Sequence, residues 1–376
     1  MNAGIIVAAG SGARFGSYKQ NEMLLDKKVY QHVLDVFVSS DLIESIHLVV
    51  HNDLYKTIEK DLTIYNTKKR IFLCKGGQTR AESVYNAVSS IGESYDKVCI
   101  SDAVRPLITK EDIDNAISHC PENGVCVVGK KIHDTIKKVN DDLLISETIN
   151  RDSIWISQTP QAFCLKTLMN CYAKGFDNFT DEASLLESNK HDVKIIESSN
   201  TNIKITTKKD LKLVKQFLST PLTGIGIDYH SLIEGEHLVV GGHKIPSHFS
   251  SKAHSDGDVL THSIIDALLG ALGLGDIGEH FPNTAEYLDI SSIELLEKIV
   301  QKIPNNKKIV HIDSSIVLNE PKISPHKQAI KESLANVLKI KTNHISIKST
   351  TTNGLTFLDM STGWGAQTIL TLGDDS

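Results

Sequence analysis

Leu218-Ser219-Thr220-Pro221-Leu222-Thr223-Gly224-Ile225-Gly226-Ile227-Asp228-Tyr229-His230 closes one kind of sequence and opens another. A helix-patterned run ends at Pro221, which disfavours helix in the residue ahead of it, and an extended run starts at Gly224. Alternate residues of a strand share a face, so Asp228 and His230 present a carboxylate and an imidazole to one point. Downstream, Ala253-His254-Ser255-Asp256-Gly257-Asp258-Val259-Leu260-Thr261-His262 leads into an apolar, helix-periodic run, with Asp258, His262 and Asp266 at four-residue steps along one face. His262 can supply a third ligand. Asp, His and His form a donor set that a catalytic zinc takes, because three protein ligands leave a tetrahedral position open. The plainer reading is a helix start capped by Asp and Ser, with histidines satisfied by core hydrogen bonds. A metal site is preferred because many short polar groups crowd an otherwise apolar segment, where buried charge is costly unless paired or metal-bound.

Working outward, the two sides differ in grammar. Before the boundary, Ile5 to Ala8, His47 to Val50, Arg70 to Leu73, Lys97 to Ile100 and Val125 to Val128 read as strands alternating with helices such as Ala81 to Ile91 and Lys110 to His119. That rhythm predicts an α/β doubly wound, mostly parallel sheet over residues 1–218, with ligands beyond the carboxyl ends of its strands. Residues 222–376 read as a two-layer α+β domain. Its strand pair is Gly224 to Tyr229 and Leu238 to Ile245, and its helices are Asp258 to Leu272, Ser291 to Ile303 and Pro325 to Leu338. Strands at Ile309 to Leu318, His344 to Thr350 and Gly363 to Leu372 complete it.

The 376 residues suffice for two or three cores, and 40% hydrophobic with 23% charged residues is ordinary for a globular chain. The net charge of −6 argues against nucleic-acid binding, which needs a basic surface to neutralise phosphates. The six cysteines form no Cys-x-x-Cys pair and read as reduced core residues. The N-terminus lacks a basic region followed by an apolar core, and no run is long enough to span a membrane. A soluble, cytoplasmic protein is expected.

After the first strand comes Ala8-Ala9-Gly10-Ser11-Gly12-Ala13-Arg14-Phe15-Gly16, with Lys19 beyond. Closely spaced glycines let backbone N–H groups approach a triphosphate, and Arg14 and Lys19 can balance its charge. The glycines stand one residue too far apart for the dinucleotide pattern Gly-x-Gly-x-x-Gly, and an unliganded strand-to-helix turn would use the same residues. Gly76-Gly77-Gln78-Thr79-Arg80-Ala81-Glu82-Ser83 and Ser101-Asp102-Ala103-Val104-Arg105-Pro106 add polar groups at the same sheet edge. Asp102 can hold Mg²⁺ against phosphates and Arg105 can bind a phosphorylated acceptor, or the two are a capping Asp and a surface Arg.

With Asp134-Thr135-Ile136-Lys137, Asn150-Arg151, Gln158-Thr159-Pro160-Gln161, Thr180-Asp181-Glu182-Ala183-Ser184 and Asn202-Ile203-Lys204-Ile205-Thr206 added in order, residues 2 to 215 resemble the 2-C-methyl-D-erythritol 4-phosphate cytidylyltransferases. The resemblance implies that Arg14 and Lys19 act at the CTP α-phosphate and that Arg151 and Lys204 position the acceptor phosphate. The nucleotide would lie on Ala8, Ala9, Gly10, Gly12, Gly77, Arg80, Ser83 and Asp102, with Arg105, Thr135 and Thr180 at the acceptor. Mg²⁺ would accompany CTP. Thr135 and Arg151 would cross a dimer interface.

Residues 224 to 373 resemble the 2-C-methyl-D-erythritol 2,4-cyclodiphosphate synthases. The match rests on Gly224 to His230, Gly241-Gly242, Ala253 to Asp258, His262, Asp266 to Gly270, Gly275-Asp276-Ile277-Gly278, Phe281-Pro282, Pro321-Lys322, Pro325-His326 and Thr350-Thr351-Thr352. By this resemblance Asp228, His230 and His262 bind Zn²⁺ or another divalent cation, and His254 and Thr351 stabilise the transition state. Ser255, Asp276, Gly278, Phe281 and Phe357 would contact substrate, and Leu318, Pro321, Ser324 and Thr350 the cytidine nucleotide. Asn353 stands where the family often has Glu, a ligand for a second Mg²⁺ or Mn²⁺, and Met360 where it often has Arg.

The expectation is a bifunctional enzyme of the non-mevalonate isoprenoid pathway, acting on small phosphorylated substrates. A trimer-forming half and a dimer-forming half would be reconciled by a hexamer. The rivals are a sugar nucleotidyltransferase with a metal-bearing regulatory domain, and a ligand-binding module with structural zinc. Structural zinc is usually closed by four ligands, often cysteines, and the cysteines here lie elsewhere.

Overall fold

The computed structural model describes residues 1–175, 179–199, 201–282, 284–351 and 363–374. Two compact units divide the chain, Met1–Leu218 and Ser219–Ser376.

In the first unit, β-branched and apolar runs give strands buried on both faces at Asn2–Ala8, Ser45–Val50, Lys97–Asp102 and most of Val125–Lys131. Seven strands lie in the order Val193–Glu197, Val125–Lys131, Trp155–Cys164, Lys97–Asp102, Asn2–Ala8, Ser45–Val50 and Arg70–Lys75. All neighbours are parallel except Trp155–Cys164, which runs antiparallel to both of its partners. The chain leaves Asn2–Ala8 toward one edge, then returns to its other side at Lys97–Asp102. That reversal opens a crevice beyond Ala8 and Asp102, where doubly wound sheets bind ligands. Thr79 caps the helix Arg80–Ser89 by accepting from the Glu82 N–H at 3.1 Å, so its first turn starts shortly after Gly76 and Gly77, past Gln78 and the cap.

The second unit has one five-stranded sheet in the order Phe249–Lys252, Leu222–Glu234, Gly363–Asp374, Lys307–Val317 and Ile345–Thr350, with helices packed on one face. The pairing expected between Gly224 to Tyr229 and Leu238 to Ile245 does not occur. Leu222–Glu234 pairs with Phe249–Lys252 and Gly363–Asp374. Leu238 to Ile245 is itself folded into a hairpin, His237–Val240 against His243–Pro246, because Gly241 and Gly242 both adopt positive φ.

Helix Val259–Leu272 is buried on nearly every side. It starts at Asp258, which accepts from the Thr261 N–H at 3.0 Å and the Gly242 N–H at 2.7 Å, and it ends at Gly273 with φ 67°. It lies directly on Leu222–Glu234 because Gly224 and Gly226 present no side chain there. A Cβ on Gly224 would sit 2.0 Å from the Ala267 carbonyl oxygen, and one on Gly226 2.0 Å from that of Ser263. A chain of buried hydroxyls, Ser263 to Thr368 to Ser314 with 2.8 Å at each step, ties the helix to the sheet.

Both obstructing atoms are backbone, so relaxation is limited. Gly226→Ala should therefore destabilise this unit by about 1–3 kcal/mol in urea denaturation; an unchanged unfolding midpoint would contradict the close approach.

Candidate functional sites in the two units

The first site occupies the crevice of the N-terminal unit, a cleft of about 560 Å³ lined among others by Ala8, Ala9, Gly10, Lys19, Gly77, Arg80, Ser83, Asp102 and Lys204. Gln20 is buried under the glycine turn and donates both to the Ala8 carbonyl and to the Gly10 carbonyl at 2.8 Å. Gly12 has φ +73°, and a Cβ there would lie 1.8 Å from the Ser17 carbonyl oxygen, so the turn depends on glycine. On the opposite wall the Ser83 hydroxyl accepts from the Gly77 N–H at 3.0 Å and donates to the Thr79 carbonyl at 2.8 Å.

Asp102 anchors the floor. Its Oδ2 meets Lys204 Nζ at 2.7 Å and Arg105 Nε at 3.8 Å, and its Oδ1 meets Arg80 Nε at 3.4 Å. Burial alone would raise its pKa, but Arg80, Lys204 and Arg105 overcome burial and hold the carboxyl at about 2. Arg80 also donates to the fully buried Glu182 at 2.6 Å. The Lys19 ammonium is pushed below its usual range, first by burial and then by the like charges of Lys204 and Arg14. Such a cleft has cations facing inward and is ready for an anion.

The structure does not bring every expected residue to this cleft. Arg14, Thr135, Arg151 and Thr180 are exposed and outside its lining. Arg151 donates to the His133 carbonyl. Arg105 is buried rather than a surface arginine, and donates to the Asn202 carbonyl at 3.1 Å. Both oxygens of Asp102 are already paired with basic side chains, so the residues present make no dedicated Mg²⁺ cage. Mg²⁺ is commonly held by one or two carboxylates plus substrate phosphates. Asp102 fits only an ion that arrives on the nucleotide.

The second site lies where Leu222–Glu234 meets helix Val259–Leu272. Gly224, Gly226, Asp228 and His230 alternate onto the helix side of the strand, so the side chains begin where the glycines end and meet His262. Asp228 Oδ2 stands 3.1 Å from His230 Nε2 and 2.9 Å from His262 Nδ1, and the three ligand atoms all lie within 4.8 Å of one another. Among the described residues this is the one such cluster. His230 donates from Nδ1 to the Lys252 carbonyl at 3.1 Å, leaving Nε2 for the cluster. Burial raises the Asp228 pKa less than the two imidazoles lower it, and the carboxyl lies well below its usual range. An Asp oxygen and two imidazole nitrogens fit a divalent ion with an open position.

Of the three residues stacked along the helix, only His262 enters the cluster. Asp258 caps the helix, and Asp266 accepts from the Ile277 N–H at 2.8 Å, holding the loop that carries Asp276, Gly278 and Phe281. Ser255 Oγ lies 3.2 Å from His262 Nε2. His254 turns instead to the Thr284 carbonyl at 2.8 Å. Asp276 caps a short helix at Ile277–His280, and Phe281 packs edge-on against Tyr287 at 5.5 Å. Leu318 and Thr350 are joined at 3.0 Å by a backbone hydrogen bond, with Thr351 next in the chain. Pro321 lines a separate cavity of about 570 Å³, and Ser324 begins the turn Ser324–His326. Register places Thr350 opposite Val317, Val317 opposite Gly365 and Gly365 opposite Tyr229. Thr350 thus lies three strand spacings, roughly 14 Å, from the expected metal ligands of the same chain, and Leu318, at the end of Lys307–Val317, two spacings, roughly 10 Å. Phe357, Asn353 and Met360 fall outside the described residues.

Four residues took part in matching motifs or helices without being given a role by sequence. Gln20 and Glu182 support the first site; Asp256 and Ser292 stand behind His262. An acid at the start of the apolar Ala183, Leu185 and Leu186 run was the signal for Glu182, whereas nothing local marked Ser292.

A doubly wound unit with a cation-walled phosphate cleft, joined to an α+β unit with a three-ligand metal set, defines a two-site enzyme of phosphate-ester chemistry. Residues 3–220 match the family described as 2-C-methyl-D-erythritol 4-phosphate cytidylyltransferase, and residues 222–373 match the YgbB family. A bifunctional enzyme IspD/IspF from Desulfotalea psychrophila is 35% identical, covering 98% of each chain. One from Wolbachia pipientis is 34% identical over 96% of this chain and 94% of that one. The crystal structure of a 4-diphosphocytidyl-2C-methyl-D-erythritol synthase from Anaerococcus prevotii shares 30% identity with a TM-score of 0.52, covering 58% of this chain and 96% of that one. The chain belongs to the bifunctional IspD/IspF enzymes, with a cytidylyltransferase half and a cyclodiphosphate synthase half. No helix among the described residues is long and apolar enough to cross a membrane.

Asp102 yields a pH dependence. Its folded pKa of about 2 lies below the ordinary 3.8, so its contribution is full above about pH 4 and is lost as pH falls through 2. In acid denaturation between pH 4 and 2, Asp102→Asn should remove about 2 kcal/mol of that slope; a wild-type slope in the variant would refute the pairing.

Proposed function

We propose that the N-terminal unit transfers CMP from CTP to 2-C-methyl-D-erythritol 4-phosphate with release of pyrophosphate. The C-terminal unit cyclises 4-CDP-2-C-methyl-D-erythritol 2-phosphate to the 2,4-cyclodiphosphate with release of CMP. The observation that carries this reading is the pairing, in one chain, of an inward-facing Lys19, Arg80 and Lys204 cleft with the Asp228, His230 and His262 cluster.

In the first reaction the nucleophile is a phosphate monoester that already carries about −1.5 to −2 charges at neutral pH, so no general base is required. Alignment and cancellation of repulsion are what the unit must supply. Lys19 and Arg14 answer the α-phosphate, the N–H groups of the Gly10 and Gly12 turn and of Gly77 hold the triphosphate, and Lys204 with Arg105 receives the acceptor phosphate. Asp102 would face any Mg²⁺ carried by the nucleotide, which would add charge neutralisation when bound.

Thr135 and Arg151 serve a neighbouring subunit's cleft. The hairpin Ile136–Val139 and Ile145–Ile149 beside them exposes Leu143, Leu144 and Ile145, an apolar tip suited to a second copy.

In the second reaction the substrate's 2-phosphate attacks the β-phosphorus and CMP departs. Asp228, His230 and His262 hold a divalent ion, zinc by preference, which supplies Lewis-acid polarisation of the β-phosphoryl oxygen when bound. Ser255 donates toward the diphosphate, the Asp276 to Phe281 loop closes one wall, and His254 and Thr351 steady the leaving phosphate. Leu318, Pro321, Ser324 and Thr350 hold cytidine across a subunit boundary, which accords with Thr350 lying three strands and Leu318 two strands from the cluster of their own chain. The solvent side of the sheet carries Ile225 at 55%, Ile227 at 46%, Tyr229 at 50% and Ile369 at 47% exposure, an apolar face that a homo-oligomer would cover. A trimer of C-terminal units joined through dimers of N-terminal units gives a hexamer.

Lys19→Ala and Arg14→Ala should each lower cytidylyl transfer by about 10²–10³-fold, followed as pyrophosphate release, with the thermal transition unchanged. Near-normal rates in either variant would sink that assignment. A zinc-selective chelator with excess Mg²⁺ should stop CMP release from the cyclisation substrate yet leave pyrophosphate release intact. Loss of both activities together is the outcome that contradicts two independent sites.

A further inference from the structure

His262 has two ring nitrogens, and only one can face a metal. Its Nδ1 points at Asp228; its Nε2 lies 2.9 Å from Ser292 Oγ. For Nδ1 to be a bare ligand, Nε2 must carry the proton and Ser292 must accept it. A hydroxyl can either donate or accept, so Ser292 by itself decides nothing.

Asp256 removes the ambiguity. Its Oδ2 accepts from the Ser292 N–H at 2.9 Å, and its Oδ1 accepts from the Asp258 N–H at 3.3 Å and from the Ser292 hydroxyl. An ionised carboxylate only accepts, so the Ser292 proton goes to Asp256 and the Ser292 oxygen is left to accept from His262 Nε2–H. Ser292 is fully buried, which removes water as a competing partner. The two segments are fastened independently of these side chains, because Asp256 N–H donates to the Ile290 carbonyl at 3.2 Å and Asp289 N–H to the His254 carbonyl at 2.9 Å. His230 reaches the same result more simply through the Lys252 carbonyl, which can only accept. Ser255 is a weaker partner for Nε2, at 3.2 Å against 2.9 Å for Ser292 Oγ.

We infer that Asp256 and Ser292 are positioning residues that form a carboxylate–hydroxyl relay, locking His262 in the Nε2–H tautomer with Nδ1 bare for the metal. This rests on the Asp228, His230 and His262 metal reading and deepens it. Partners of this kind orient a ligating imidazole and raise its basicity.

The test is zinc affinity of the full chain by competition with a chromophoric chelator, alongside the visible spectrum of the cobalt-substituted protein. Ser292→Ala keeps the backbone N–H to Asp256 but removes the acceptor, and should weaken zinc about 10–100-fold. Asp256→Asn keeps the shape but lets the amide donate to Ser292 and reverse the relay, so it should weaken zinc in the same direction. Ser292→Thr should restore affinity and the cobalt spectrum. Wild-type affinity in Ser292→Ala or in Asp256→Asn, with an unchanged thermal transition, overturns the relay; so does Ser292→Thr binding as weakly as Ser292→Ala. Should wild type and His262→Ala bind zinc equally, the metal reading itself falls, which is a distinguishable result.

Discussion

The close seating of helix Val259–Leu272 on strand Leu222–Glu234 governs the C-terminal unit. Two glycines, Gly224 and Gly226, let backbone meet backbone, and the next two residues on that face are Asp228 and His230. A side chain at either glycine would lift the helix, and His262 with it, away from the strand. Packing and site are therefore one feature. The buried hydroxyls of Ser263, Thr368 and Ser314 reinforce it without leaving an unpaired polar atom in the seam.

The N-terminal unit solves a different problem, keeping several like charges together before any anion arrives. Asp102 does so by pairing with Lys204, Arg80 and Arg105, while Glu182 neutralises Arg80 from beneath. Removing one member of such a buried set leaves the others uncompensated, which costs far more than the net worth of the pair. The N-terminal cleft carries preformed positive charge on its side chains, and the C-terminal unit carries a donor set that fits a divalent ion.

Much of this was visible in the residues. The alternation around Ile5, His47, Arg70, Lys97 and Val125 foretold the doubly wound sheet, and Asp228 with His230 shared a face because strand geometry compels it. Other readings changed in space. Leu238 to Ile245 became a hairpin in place of a partner strand. Asp258 and Asp266, in step with His262 along the helix, were taken up by the Gly242 and Ile277 backbone. Arg105 turned inward, and Arg14, Thr135, Arg151 and Thr180 stayed outside the cleft of their own chain.

What the chain determined by itself is what short periodicities encode: a change of pattern near Pro221, the glycine turn after the first strand, and a carboxylate and imidazole two residues apart. Each rests on φ/ψ preferences or side-chain alternation within a few residues. Which distant groups meet was decided only by tertiary packing. Lys204 reaching Asp102, Glu182 backing Arg80 and Ser292 turning His262 all join segments far apart in sequence. The physical reason is that a hydrogen bond or ion pair needs its atoms within a few ångströms, and no local pattern fixes that distance until sheets and helices have packed.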